Sequence, residues 1–492
     1  MKRIVALALT LALTLALSAC GGGASLVTEE TETLIRTSAA ETETGGVTGV
    51  HDATGFCVGF GRGDITPTLP TPLGGYGASA YRLSQNVLDE LYATCVAIRD
   101  EDGETLLLFH LDLLVSSKSL SEQARTMITG ATGVPGDHVL FTATHTHAGP
   151  DVDSSEGAMG TWKGKAYKAI LSAAKDAVAY LDHCRIYVGS AEADGLNFVR
   201  RYVLENGYSS PHGSIGSGAV VAHEGEIDRE MRVVRFVRDN QPDVVLANWQ
   251  CHATMTGGSA KTDVSADFVG QLRKNAEREL GIKFLYFQGG AGNVSPATKL
   301  PGETAKGGDY KNEGKQLFSV LKEALDGAAE VQPGKVLVRK AEIEGKVNHE
   351  LDALAPVCDK INAMFTANDR AGAEQMTAAN GLSSAYEARA ILRRSKLGAT
   401  EPFSVYVCSF GDVAFAMAPF EMFCQTYTDL RAASPFAMTF TCGYSNASCG
   451  YMPAADCFDH KGYEVWTCTY VAGTAEQITA KQLELLNEMK TK

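Results

Sequence analysis

Short apolar runs and stretches of apolar–polar alternation recur along most of the chain. They predict strands at 57–60, 95–98, 105–110, 139–144, 185–188, 232–237, 244–249, 283–287, 335–343, 404–410, 413–417 and 437–441. Between many of these the period lengthens to that of a helix. Tyr167, Ile170, Leu171, Ala174 and Val178 share one helical face, and Phe268, Leu272, Ala276 and Leu280 share another, which Gly281 ends. Ser119-Leu120-Ser121-Glu122 has capping-box form ahead of a further helix. Residues 346–397 read as a helical pair, inserted within one unit because strand signals resume after them. Strands interleaved with helices predict an α/β fold of layered mixed β-sheets flanked by helices. One domain spanning 56–492 is the simplest division.

The first residues pattern differently. Lys2 and Arg3 precede an apolar run from Ile4 to Leu17 that is too short to span a bilayer, and Leu17-Ser18-Ala19-Cys20 follows. Residues 1–19 are therefore expected to be an export signal. The ending resembles a bacterial lipobox, which implies cleavage before Cys20 and a lipid on that cysteine, holding the protein to the outside of the cell membrane. An ordinary cleaved signal is the alternative. Residues 21–55 carry few large apolar side chains and are expected to form a flexible tether.

The formal charge of −14 becomes −16 once Lys2 and Arg3 leave with the signal, and an acidic surface repels phosphate backbones, so nucleic acid is not an expected partner. Of the 12 cysteines, Cys20 is assigned to the lipid. Export permits disulfides, and Cys442, Cys449, Cys457 and Cys468 are crowded enough to suggest one or two. The absence of any CxxC pair argues against a cysteine zinc site.

Candidate chemistry gathers where apolar strands end. The run His138 to Ala143 leads into Thr144-His145-Thr146-His147-Ala148-Gly149-Pro150, and in extended chain residues two apart project to the same side. Four further strands deliver polar residues in the same way: 244–249 leads to His252, 284–287 to a glycine loop with Ser295, 413–417 to Glu421, and 438–441 through Asn446 to Tyr451. Imidazole nitrogen with carboxylate oxygen suits zinc. His110 and Asp112 lie inside a strand and read as structural.

In order from about Gly59 to Thr469, these segments resemble the neutral ceramidase family. The opening Gly61-Arg62-Gly63-Asp64-Ile65-Thr66-Pro67, then Gly74-Gly75-Tyr76-Gly77, Phe109 to Leu114 and Thr144 to Pro150 carry the resemblance, the last with Ala148 in place of serine. It implies a four-layer α/β/β/α catalytic domain, one zinc ion held by His145, His252, Glu421 and Tyr451, and a lipid-like N-acyl amide as substrate. It also implies that His147 hydrogen-bonds the scissile group, that Arg200 stands near the substrate carbonyl, that Tyr463 is a second active-site tyrosine, and that Ser295 matches a serine proposed as nucleophile. Zinc-activated water is the favoured attacking group, with Ser295 as an orienting residue, because no aspartate-oriented histidine is assigned to activate the serine. Three departures stand out. Asn293 replaces an aspartate, residues after Gly443 differ, and no C-terminal β-sandwich domain is expected. Two other readings stay open: a zinc hydrolase of another amide or ester, and an inactive lipid- or glycan-binding lipoprotein.

Overall fold

Two sheets packed face to face, with helices on both outer sides, account for the alternating strands. The computed structural model describes residues 55–76, 82–207 and 219–491. The expected export signal, Cys20, Gly77 and nearly all of the tether lie outside them, and the described residues fall in one compact unit, Val50–Lys492. The larger sheet contains β1 (Cys57–Asp64), β2 (Tyr92–Arg99), β3 (Thr105–Leu111), β4 (Val139–Ala143), β5 (Asp182–Glu192), β6 (Glu230–Arg238), β7 (Val244–Trp249) and β8 (Lys283–Gln288). Their order is β8-β7-β6-β5-β1-β2-β3-β4, and Ala329–Val331 also pairs with β5. The second sheet runs β9 (Val336–Lys346), β10 (Thr400–Phe410), β11 (Val413–Met417) and β12 (Met438–Cys442). Three neighbouring pairs are parallel: β3 with β4, β7 with β8, and β11 with β12.

Period-two patterning separates the layers. On β3, Leu106 and Leu108 enter the core between the sheets, while Leu107, Phe109 and Leu111 face the outer helices. On β7, Val244 and Leu246 do the former and Val245, Ala247 and Trp249 the latter. The inter-sheet core also takes Phe287, Phe410, Phe415 and Phe440. Each such fully buried side chain contributes roughly 2 kcal/mol. Outside the larger sheet lie α1 (Lys118–Thr132), α2 (Met159–Ala179), α3 (Asp267–Leu280) and α4 (Tyr310–Asp326). The insertion forms α5 (Ala355–Thr366), α6 (Arg370–Ala379) and α7 (Ala385–Arg394), while α8 (Cys424–Ala433) and α9 (Thr474–Lys490) cover the second sheet. The fold is the expected α/β class, in four layers.

Three details differ from the sequence reading. The first outer helix begins earlier than Ser119: Ser117 is its cap, with extended backbone and a hydroxyl that accepts the Leu120 N–H, so Ser119 lies inside the helix. The insertion holds three α-helices rather than two, because Asn368 takes a left-handed φ of 62° and breaks the first from the second. Cys442, Cys449, Cys457 and Cys468 are free thiols: Cys442 packs between the sheets and Cys457 lies in a separate cluster, while Cys449 and Cys468 adjoin the same cluster without bonding.

Polar ties bring the strand ends together. The Gln288 amide, at the end of β8, donates to the carbonyls of Thr144 (3.0 Å) and Cys251 (2.7 Å). Asn248 on β7 donates to Thr441 O (3.0 Å) and accepts the Thr441 N–H (3.2 Å), joining the two sheets. Asn446 accepts the Phe141 N–H (2.9 Å) at the free edge of β4. His110 and Asp112 are buried and structural, with Asp112 paired to Arg273 at 2.8 Å.

Close backbone approach explains the opening motif. A Cβ at Gly59, Gly61 or Gly63 on β1 would overlap the carbonyl oxygens of Ala177, Ala173 and Ala169 on α2. These glycines let the helix lie directly on the strand. Gly61→Ala is expected to lower unfolding free energy in urea by about 3 kcal/mol through overpacking; an unchanged midpoint would show that the helix moves aside freely.

Candidate metal centre

His145 follows the end of β4 by two residues and takes a left-handed φ of 62°. The convergence of His145 and His147 thus comes from this turn and not from strand alternation, and their rings stand nearly perpendicular, at 89° with centroids 4.8 Å apart. His252 arrives three residues beyond β7, its ring 4.7 Å from that of His145. Glu421 sits in a short parallel pair with Tyr451 rather than capping a helix; α8 starts later, with Phe423 as its cap residue. Gly292 permits this crossing, because a side chain there would strike the Glu421 carbonyl.

Second partners set the imidazole tautomers. The His145 Nδ1–H donates to Leu114 O at 2.8 Å, and the His252 Nδ1–H donates to Ala291 O (2.6 Å) and Val294 O (3.1 Å). A carbonyl only accepts, so in each neutral ring the lone pair is left on Nε2. Both Nε2 atoms lie 3.3 Å from Glu421 Oε2, and His147 Nε2 lies 3.2 Å from His145 Nε2. His252 Nε2 and Glu421 Oε2 are buried and have no hydrogen-bond partner. Zinc bonds of about 2.0–2.1 Å in a tetrahedron require donor separations of about 3.3 Å. The donors therefore fit a metal ion, and His145, His147 and His252 together can hold one.

The electrostatics point the same way. Burial, then Arg200, pulls the His252 imidazole down to about 3. Burial, then His145 and His252, holds His147 well below the ordinary histidine range. Burial alone would raise the Glu421 carboxyl, but His145 and His252 outweigh it and hold it well below the usual range. Neutral imidazoles and an ionised carboxylate are the ligating forms.

Beside the donors lies a buried cationic pair. Arg200 donates to Tyr451 Oη (3.1 Å) and Glu464 Oε1 (3.0 Å). Arg201 donates to Glu464 Oε2 (3.0 Å), to Glu224 and to Lys461 O (2.9 Å). Of the two adjacent arginines, Arg200 is the one that faces the centre. Tyr463 packs on Tyr451 with ring centroids 5.5 Å apart. Ser295 pairs with Phe198 next to Val294, and its hydroxyl accepts the Ala297 N–H at 3.2 Å in a local turn. Asn293 is buried and engaged with Cys424 N (3.0 Å) and Gln425 Oε1 (2.8 Å).

Sequence reasoning missed several neighbours. Glu464 neutralises both arginines, whose burial only the structure reveals, and no local signal marks a partner so far along the chain. Tyr444 stacks on His145 with centroids 4.1 Å apart and a buried hydroxyl without a partner. Tyr76 stands edge-on to His147 at 5.0 Å, with Arg82 beneath its ring and bonded to Gly74 O (2.9 Å) and His147 O (2.7 Å).

This arrangement of sheets recurs in solved structures. The fold is that of a neutral ceramidase. One match is described as a ceramidase complexed with C2 and another as the neutral ceramidase from Pseudomonas aeruginosa. Each is 17% identical to this chain with a TM-score of 0.67, over 89% of this chain and 76% and 75% of theirs respectively. No protein-family model matches the chain.

Glu464→Gln is expected to cost about 3 kcal/mol, because it leaves two buried guanidiniums short of an anion. Denaturant unfolding measures the loss, and a change within experimental error would mean that Glu224 alone neutralises the pair.

Proposed function

We propose that the chain is a zinc-dependent hydrolase that cleaves the N-acyl amide bond of ceramide or a ceramide-like lipid. The observation that carries this reading is the set of donor separations of 3.2–3.3 Å among His147, His145, Glu421 and His252, with His252 Nε2 and Glu421 Oε2 buried and unpartnered, on a ceramidase fold. His145, His252, Glu421 and Tyr451 would hold the metal, and His147 would stand beside it. Bound zinc supplies Lewis acidity and lowers the pKa of water to about 7.

The protein's own residues supply the rest. Arg200, held by Glu464, presents a fixed guanidinium to the charge that develops on the carbonyl oxygen, with Tyr463 as a second donor. A preorganised donor of this kind is worth on the order of 3 kcal/mol. His147, neutral in its buried place, would take a proton from the attacking water and hand it on to the leaving amine, holding it only transiently because burial keeps its pKa low. The engagement of Asn293 with Cys424 and Gln425, and of the Ser295 hydroxyl with the Ala297 N–H, supports an orienting role for Ser295 over a nucleophilic one.

Purified protein is expected to bind close to one equivalent of zinc, and His145→Ala and His252→Ala to weaken binding by more than about 100-fold, beyond what loss of an outer-shell partner costs. Chelation should stop hydrolysis of ceramide, and zinc should restore it. Turnover of N-acyl amino acids but not of ceramide would move the substrate to another amide, and full activity without metal would overturn the reading.

We also propose that the mature protein begins at a lipid-bearing Cys20 and is anchored outside a bacterial membrane, as the signal and lipobox pattern of residues 1–20 supports. Cys20→Ser is expected to shift the exported protein from the detergent phase to the aqueous phase on phase separation. Equal partitioning of both forms would refute the anchor.

A further inference from the structure

The insertion is clamped onto the segment that carries Tyr463. Arg394 on α7 donates to Trp466 O (3.1 Å) and Cys468 O, and Arg393 donates to Thr469 Oγ1 (3.2 Å). Trp466 packs against the cluster that holds α5, α6 and α7 together. At the start of α7, the Ser384 hydroxyl accepts the Glu387 N–H (3.3 Å) while the Glu387 carboxylate accepts the Ser383 N–H (2.7 Å), which fixes the first turn. Tyr386 is the second residue of that turn.

Tyr386 is 40% exposed, yet its ring centroid lies 6.0 Å from that of Tyr463, which in turn lies 5.5 Å from Tyr451. The chain of rings from Tyr386 through Tyr463 to Tyr451 thus leads from an exposed residue to the candidate ligands. At the His147 end of the donors, Tyr76 is similarly 39% exposed. Exposing a large aromatic ring gives the fold nothing, and phenol faces suit an extended hydrocarbon chain.

We propose that Tyr386 is a specificity-determining residue: with Tyr463 and Tyr451 it forms a row of three rings along which the apolar chain of an N-acyl substrate lies as it enters the metal centre. This rests on the hydrolase reading above, and it assigns chain recognition to the helical insertion rather than to the sheets.

The test compares wild type, Tyr386→Ala and Tyr386→Phe, each zinc-loaded and checked for unchanged thermal unfolding, on the N-dodecanoyl and N-acetyl amides of one amino alcohol. Tyr386→Ala should raise the ratio of the dodecanoyl KM to the acetyl KM by about tenfold, the scale of losing the burial of one or two methylenes, with kcat for the dodecanoyl amide retained. Tyr386→Phe should keep the wild-type ratio. An unchanged ratio, or a fall in kcat that is the same for both amides, would overturn the proposal, the latter because the ring would then only position Tyr463. Calorimetric binding of the same two amides to chelator-treated protein separates the two readings. If wild type hydrolyses neither amide, the hydrolase assignment fails by itself, and the tenfold weakening of dodecanoyl binding expected in Tyr386→Ala still decides the role of the ring.

Discussion

Two imidazoles can offer lone pairs to one point only if something else holds their protons. Main-chain carbonyls do this here: Leu114 O takes the Nδ1–H of His145, while Ala291 O and Val294 O take that of His252. Both Nε2 atoms then face the same Glu421 oxygen at equal distance. The orienting groups are backbone atoms of loops that follow other strands, so the tautomers are set by the fold and not by a side chain that one substitution could remove. The loops after β3, β4, β7, β8 and β11 must therefore keep their relative positions to within a few tenths of an ångström.

That demand explains the buried amides. A sheet with β8 and β4 at opposite ends of its strand order would ordinarily leave those strands far apart, yet Gln288 of β8 donates to the carbonyl of Thr144, the residue before His145. Asn248 performs the same service between the two sheets. Each amide satisfies donors and acceptors at once, which makes it both rigid and costly to replace: an apolar substitute would strand several buried polar groups, at roughly 1–3 kcal/mol each. The glycine stripe of β1 acts on the other side of the sheet, where it lets α2 lie flat against the strand.

Most of the fold was legible because its signals are local. Alternation and short apolar runs located the strands of both sheets, with β7 and β11 matching to the residue. The helical face ending at Gly281 was equally clear, because a left-handed cap there needs a residue without a side chain. Caps and breaks were harder. Ser117 and Ser119 both offer a hydroxyl at the start of α1, and only the backbone of Ser117 is extended. The candidate site was legible as residue types at strand ends, whereas its geometry was not. No local signal says that His145 adopts a left-handed backbone, or that Tyr444 stacks on it after nearly three hundred intervening residues. Crowded cysteines suggested bridges, but proximity in sequence does not put Cys442 in the same core as Cys468.

The arginine pair shows how long-range partners separate two like residues. Arg200 and Arg201 are adjacent and chemically equivalent in the sequence, and both are buried. Their roles separate because Glu464 offers one oxygen to each, while Glu224 and Lys461 O take what remains of Arg201. Arg201 is thereby committed to the scaffold. Arg200 keeps a nitrogen for Tyr451, beside Glu421, and its charge helps to pull His252 down to about 3. A guanidinium fixed in this way needs no reorganisation to meet a negative charge developing nearby, and that property distinguishes a preorganised donor from a merely proximate cation. Glu464 is also the residue after Tyr463, so the short helix that delivers the second phenol delivers the counter-ion as well. The insertion bonds to the end of that helix through Arg394, which ties the inserted helices to the segment that carries Glu464.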